Sequence, residues 1–140
     1  LSFVNYYTHG TQVTAAHGHL AFFGAYVCLN LAIMTYAMPY LRGRDPYNQV
    51  LNMVSFWMMA GGMAFMTFVL TFAGTVQTHL QRVLGQNYME VQDQLSLFYL
   101  MRFGAGLVVV LGALLFVYAT LFPRKELISS ERHGSLSPAE

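Results

Sequence analysis

Two histidines, His17 and His19, stand two residues apart in Thr14-Ala15-Ala16-His17-Gly18-His19-Leu20-Ala21-Phe22-Phe23-Gly24. Imidazole is the commonest side-chain metal ligand and a frequent axial ligand of haem iron. What such a pair can bind depends on the backbone beneath it. On a strand, residues two apart share a face and can clamp one zinc or iron. On a helix each residue advances about 100°, so the two imidazoles point about 200° apart. Their rise along the axis is then about 3 Å. They cannot share a metal in that geometry, but each can bind its own, on either side of the helix.

The surrounding elements decide between these. The chain has 140 residues, 56% of them hydrophobic and only 9% charged; soluble domains carry about 25% charged residues. Three charge-poor runs stand out, at about 13–38, 50–76 and 95–122. Each exceeds 20 residues, far longer than an ordinary strand. Each is apolar on both parities, which a lipid-facing barrel strand is not. The runs predict three transmembrane helices of an all-α integral membrane protein. The histidine pair lies in the first, so the two-sided helical geometry is the one expected. Pro39 and Pro123 are expected to end the first and third helices.

The remaining segments follow from polarity. Residues 1–11 read as an outer-facing segment whose Tyr6 and Tyr7 suit a membrane interface. The chain opens on Leu1 with no signal-peptide pattern, and is expected to be the later part of something longer. Residues 77–94 read as a loop, with Arg82, Glu90 and Asp93 in it. Residues 124–140 read as a polar cytoplasmic tail. Arg42 and Arg44 follow the first run, and Arg124 and Lys125 follow the third. The positive-inside rule therefore puts the first loop and the C-terminus in the cytoplasm. His17 and His19 then lie toward the outer side. A formal net charge of +1 leaves no electrostatic footprint for nucleic acid. The single Cys28 sits in an apolar run and reads as a small buried hydrophobe.

An ionisable side chain inside a spanning helix is costly unless it has a task or a partner. Gly18 and Gly24 remove side chains beside the pair, so a flat macrocycle can approach the helix. A helix with one histidine on each side can hold two haems at nearly one depth. The plainer alternative is two hydrogen-bonded structural histidines packed against other helices. A shared zinc site is disfavoured by the helical spacing.

The stretch Thr8-His9-Gly10-Thr11-Gln12-Val13-Thr14-Ala15-Ala16-His17-Gly18-His19-Leu20-Ala21-Phe22-Phe23-Gly24-Ala25-Tyr26 resembles a signature of the catalytic subunit of bacterial cytochrome c-dependent nitric oxide reductases, in the haem-copper oxidase superfamily. The likeness continues through Gly74-Thr75-Val76-Gln77-Thr78-His79-Leu80-Gln81-Arg82 and from Val91 to Phe103. It implies that the three helices are the last part of a haem-copper-oxidase-like bundle. It implies His17 as axial ligand of a high-spin haem b and His19 as axial ligand of a low-spin haem b. His9 corresponds to a position near the haem propionates, and a simple loop histidine is the alternative. The implied reaction is 2 NO + 2 e⁻ + 2 H⁺ → N2O + H2O, a step of denitrification and respiratory electron transport. The implied partners are the remainder of the catalytic subunit, a membrane-anchored cytochrome c subunit and the bilayer of the bacterial inner membrane, with the haem side toward the periplasm. The family also uses a non-haem iron, held by three histidines and a glutamate, and a second ligand to the low-spin haem. This chain has no counterpart of either set and is not expected to be catalytic alone.

Other residues carry weaker signals. Arg102, the lone fixed charge in the third run, either snorkels outward or meets a cofactor. Phe22 and Phe23 either flank a porphyrin or simply pack. Glu90 and Asp93 read as solvated carboxylates, and His79 and His133 as surface residues. The methionines of the second run read as core or lipid-facing, with no face in common with histidine. Two other functions compete: part of a haem-copper oxygen reductase, or a non-enzymatic membrane scaffold.

Overall fold

The computed structural model describes residues 2–42 and 48–122. Three helices long and apolar enough to cross a membrane dominate it: α2 (Gln12–Leu41), α3 (Gln49–Val83) and α5 (Ser96–Leu121). Two short helices, α1 (Ser2–Thr8) and α4 (Tyr88–Gln94), gather at one end. The spanning helices have 30, 35 and 26 residues. At 1.5 Å per residue even the shortest is about 39 Å long, against a hydrocarbon core of about 30 Å.

α3 is the central element, with α2 and α5 both antiparallel to it. Lipid gives no hydrophobic drive between spanning helices, so close approach at small residues does the packing. A methyl group built on Gly62 would lie 2.9 Å from Val109 Cγ2 and 3.3 Å from the Ala105 carbonyl oxygen. One built on Gly112 would lie 2.8 Å from Met59 Cγ. One built on Gly74 would overlap the α2 backbone, 2.8 Å from the Gln12 carbonyl carbon. The glycines are thus the points where the three helices touch. Between them Ala16, Phe23, Met59, Met63, Met66, Leu70, Ala105 and Phe116 form the core. Ala73, Val91 and Leu95 form a smaller cluster under α4.

Residues 2–8 form helix α1, and two boundaries differ from the sequence-based expectation. Pro39 does not end the first spanning helix but lies inside it. So close to the helix end, its missing N–H removes a single backbone bond, which the last turn tolerates. The second helix runs past Val76 to Val83 and takes the expected loop residues Gln77 and His79 with it. The polar side chains there find partners on other helices: Gln77 Oε1 accepts from Gln12 N at 2.9 Å, and Thr78 Oγ1 donates to the Tyr7 carbonyl at 3.2 Å. Polarity therefore marks the end of the apolar stretch rather than the end of the helix. The real end is at Gly85, in the left-handed region at φ +66°, where Gln86 N–H closes back on the Leu80 carbonyl at 3.1 Å. At its start, Asn48 Oδ1 caps the helix by accepting from Leu51 N–H at 3.3 Å. Arg44, Pro123, Arg124, Lys125, His133 and the tail 124–140 lie outside the described residues.

Candidate functional site

α2 meets α3 along Gln12, Ala16 and Phe23, a helical stripe of which Ala16 and Phe23 are buried. On an α-helix His17 lies about 100° to one side of Ala16 and His19 about 60° to the other. The structure follows this. His19 is half-buried beside the seam with α3 and α5, while His17 is exposed and faces away from both. The two imidazoles therefore stand on opposite sides of one helix.

His19 is held in a defined tautomer. Its Nδ1 lies 2.7 Å from the Ala15 carbonyl oxygen. A carbonyl can only accept, so Nδ1 carries the proton and Nε2 keeps its lone pair. A hydrogen bond of this kind is what orients a metal-ligating histidine and raises its basicity. Two open grooves meet at this ring. One, of about 520 Å³, runs between His19, Met66, Tyr99, Arg102 and Gly106. The other, of about 440 Å³, runs between His19, Gly18, Phe22, Phe23 and Met63. Both volumes fall within the ~300–1,000 Å³ of small-molecule and cofactor sites. Their walls are mostly apolar. Methyl groups built on Gly18, Gly24 and Gly106 would meet nothing within 4 Å, so a flat group has room against the helices. About one turn beyond His19, the chain widens into a π-helical turn at Phe23–Val27, with Cys28 N–H bonded to the Phe23 carbonyl. Such turns recur beside functional sites. A free imidazole nitrogen, an apolar slot and bare glycine faces fit a haem.

The end of the bundle above the histidines is clasped by polar side chains. Gln77, 1% exposed, satisfies the first free N–H of α2. Gln12 Nε2 donates to the Tyr99 hydroxyl at 3.2 Å, and that hydroxyl donates to Gln92 Oε1. Arg82 lies over the Tyr6 ring at 5.6 Å, which ties α1 to α3.

The other sequence candidates separate. His9 is exposed in the turn between α1 and α2, its N–H bonded to the Asn5 carbonyl at 2.9 Å. His79, Glu90 and Asp93 are exposed, the last two on α4 rather than in an irregular loop. Phe23 is buried in the core; Phe22 is 67% exposed and stacks on Tyr26. Cys28 is half-buried against the core. The methionines read as core are so: Met59, Met63 and Met66 are buried; Met66 and Met63 also each line a groove with His19, a shared surface not expected from the sequence. Helical phase within one helix cannot show this, because the methionines reach His19 from α3. Tyr99, Gln12 and Gln77 are site residues that sequence reasoning missed. Their signal is polar side chains at the ends of apolar runs, where they can cross-link helices. Among the described residues no three His, Cys, Asp or Glu side chains come together as a metal site.

Over 124 residues the chain is 44% identical to a nitric oxide reductase subunit of Stutzerimonas stutzeri, an alignment covering 83% of this chain and 26% of that protein. The chain thus spans about a quarter of the length of that relative. Residues 1–108, which hold both histidines and both grooves' contacts up to Leu107, match the family described as cytochrome c and quinol oxidase polypeptide I. With its spanning helices and its paired histidines, the chain belongs to this family of haem-copper oxidase subunits.

Proposed function

We propose that the chain is a haem-holding part of a nitric oxide reductase catalytic subunit, an oxidoreductase of the membrane. The observation that carries this is His19, whose Nδ1 is bonded to the Ala15 carbonyl and whose side chain lines two mostly apolar grooves beside Gly18 and Gly106. In this reading His19 is the axial ligand of a low-spin haem b, and His17, on the far side of α2, of a high-spin haem b. Bound haem supplies an iron that changes oxidation state and so carries electrons. α2 fixes the two imidazoles about 3 Å apart along its axis and on opposite sides. The exposure of His17 suits a ring that other parts of the subunit cover. The non-haem iron and the second low-spin ligand belong to residues beyond this chain. The whole subunit would reduce two NO to N2O and water, fed with electrons by a membrane-anchored cytochrome c subunit. It would sit in the bacterial inner membrane with its haem side toward the periplasm and His9 near the propionates.

The family match also supports a second reading, part of an oxygen reductase. Metal analysis of the full-length subunit separates the two: non-haem iron supports the first, copper the second. The haem assignment is tested by reduced-minus-oxidised optical spectra of the same protein. His19→Ala is expected to abolish the low-spin signal and His17→Ala the high-spin one. Both signals surviving both substitutions would leave a non-enzymatic scaffold as the better description.

A further inference from the structure

An open groove of about 610 Å³, between the far half of α2 and the start of α3, takes no part in the site described above. Its α2 wall includes Cys28, Leu31 and Thr35, and its α3 wall Gln49, Asn52 and Phe56. Each set has the i, i+3, i+7 spacing of one helical stripe. The α2 stripe is about 10 Å long, two turns of helix. Two stripes of this spacing, facing one another, form the kind of groove into which the ridge of a third helix packs. Ala32, exposed on the α2 wall, is a small residue where another backbone can come close.

The polarity of the walls narrows the occupant. Among the described residues no charged side chain lines the groove, so it offers no counter-charge to a phosphate headgroup or an ion. Thr35 and Asn52 are half-buried, and their side chains have no hydrogen-bond partner among the described residues. An acyl chain has neither donor nor acceptor and would leave both unpaired, which is costly away from water. A helix bearing an amide or hydroxyl side chain satisfies them, and such bonds join helices inside membranes. The matched stretch is 26% of the similar subunit, so most of that subunit lies outside it. A helix of the same polypeptide is tethered to the groove and meets it at high effective concentration. A second copy or a separate subunit lacks that advantage.

We infer that this groove seats a further spanning helix of the same subunit, whose amide or hydroxyl side chain bonds to Asn52 and Thr35. The inference rests on the function proposed above, which makes this chain part of a larger subunit. Asn52 is then a docking residue, with no part in the haem chemistry.

The test is photocrosslinking of the full-length subunit in its native membrane. Tyr36→p-benzoylphenylalanine and Phe56→p-benzoylphenylalanine place one probe on each wall of the groove. After irradiation the captured peptides are identified by mass spectrometry. Both probes are expected to capture one and the same segment of the subunit, outside these 140 residues. Capture of phospholipid, of a second copy, of a separate subunit, of residues within the 140 or of nothing overturns the inference. The hydrogen bond is tested by heating. Asn52→Leu is expected to speed the loss of haem absorbance at a fixed temperature about threefold, the weight of one interhelical bond in a membrane. Met53→Leu, on the same wall, should leave the rate unchanged. Equal rates for Asn52→Leu and wild type would overturn the bonding role. Should Asn52→Leu not assemble, the two probes in the otherwise unaltered protein still identify the occupant. Lipid capture in a subunit that keeps both haem signals overturns this inference alone. Capture of the same subunit in a protein without haem overturns the haem reading alone.

Discussion

The two halves of α2 differ more than their compositions suggest. Before the π-turn, the helix touches α3 backbone to backbone at Gly74 and is clasped by Gln77 and Tyr99. After it, from Cys28 onward, α2 has no buried residue among those described. There α2 and α3 flank an open groove of about 610 Å³, walled by Cys28, Thr35, Tyr36, Asn52 and Phe116 among others. Neither half contains an Asp, Glu, Lys or Arg. The packed half carries His17 and His19; the open half carries no comparable chemistry. On the proposed reading these histidines are ligands of a redox metal, which must be held to within about 0.5 Å, and the close contacts of α2 lie in the same half. The open half is apolar apart from polar residues such as Asn30 and Thr35, and its face is exposed.

Gly74 is the sharpest place to break this contrast. A Cβ there meets the α2 backbone, which cannot move aside as a side chain can. Gly74→Ala is expected to destabilise the 140-residue chain by about 1–3 kcal/mol or more through overpacking. The same substitution at Gly61, thirteen residues earlier on the same helix, meets nothing within 4 Å. It is expected to be neutral, or stabilising by up to about 1 kcal/mol from helix propensity. Thermal unfolding in detergent, followed by circular dichroism at the helix band, compares the two directly. Similar Tm values for both would mean that the end bearing the histidines is no more tightly fitted than the middle of α3.

The next effect in size belongs to Gln77. Its removal leaves the half-buried first N–H of α2 without its acceptor, a cost of about 1 kcal/mol or more. Gln77→Ala should lower Tm in the same assay. Thr35→Ala, in the open half, should move stability by no more than about 0.5 kcal/mol. Equal losses at the two positions would erase the distinction between the halves.

These contrasts also mark what the sequence could show. Three charge-free runs longer than any strand make helices inevitable, and a helix puts His17 and His19 on opposite sides whatever surrounds them. That much needs only local geometry. The misjudged ends have a common cause. Gln77, Thr78 and His79 look like a loop because they end an apolar run, yet the helix continues since the polar groups of Gln77 and Thr78 bond to Gln12 and Tyr7. Those partners lie 65 and 71 residues away, beyond anything periodicity within one helix can register. The approach of Met63, Met66 and Arg102 to His19 is hidden for the same reason. It depends on how three helices rotate against one another, and that is set by glycine contacts such as Gly62 with Val109 and Gly112 with Met59.

The smallest expected effect separates shape from polarity as the cause of the tight end. Tyr99 links α2 and α4 through one hydroxyl, 87 residues from Gln12 in sequence. Tyr99→Phe removes both bonds and keeps the ring that lines the groove beside Arg102. Each bond contributes about 0.5–1.5 kcal/mol net. The side chain of Gln92 already has a buried Nε2 without a partner, so its bond to Tyr99 is part of a clasp not fully satisfied, and partly satisfied networks contribute less. A loss of about 1 kcal/mol is therefore expected, below that of Gly74→Ala, with the helix content of the folded chain unchanged. If Tyr99→Phe instead cost as much as Gly74→Ala, the helix bearing the histidines would be held by its polar clasp. The glycine contact would then be a consequence of the docking and not its cause.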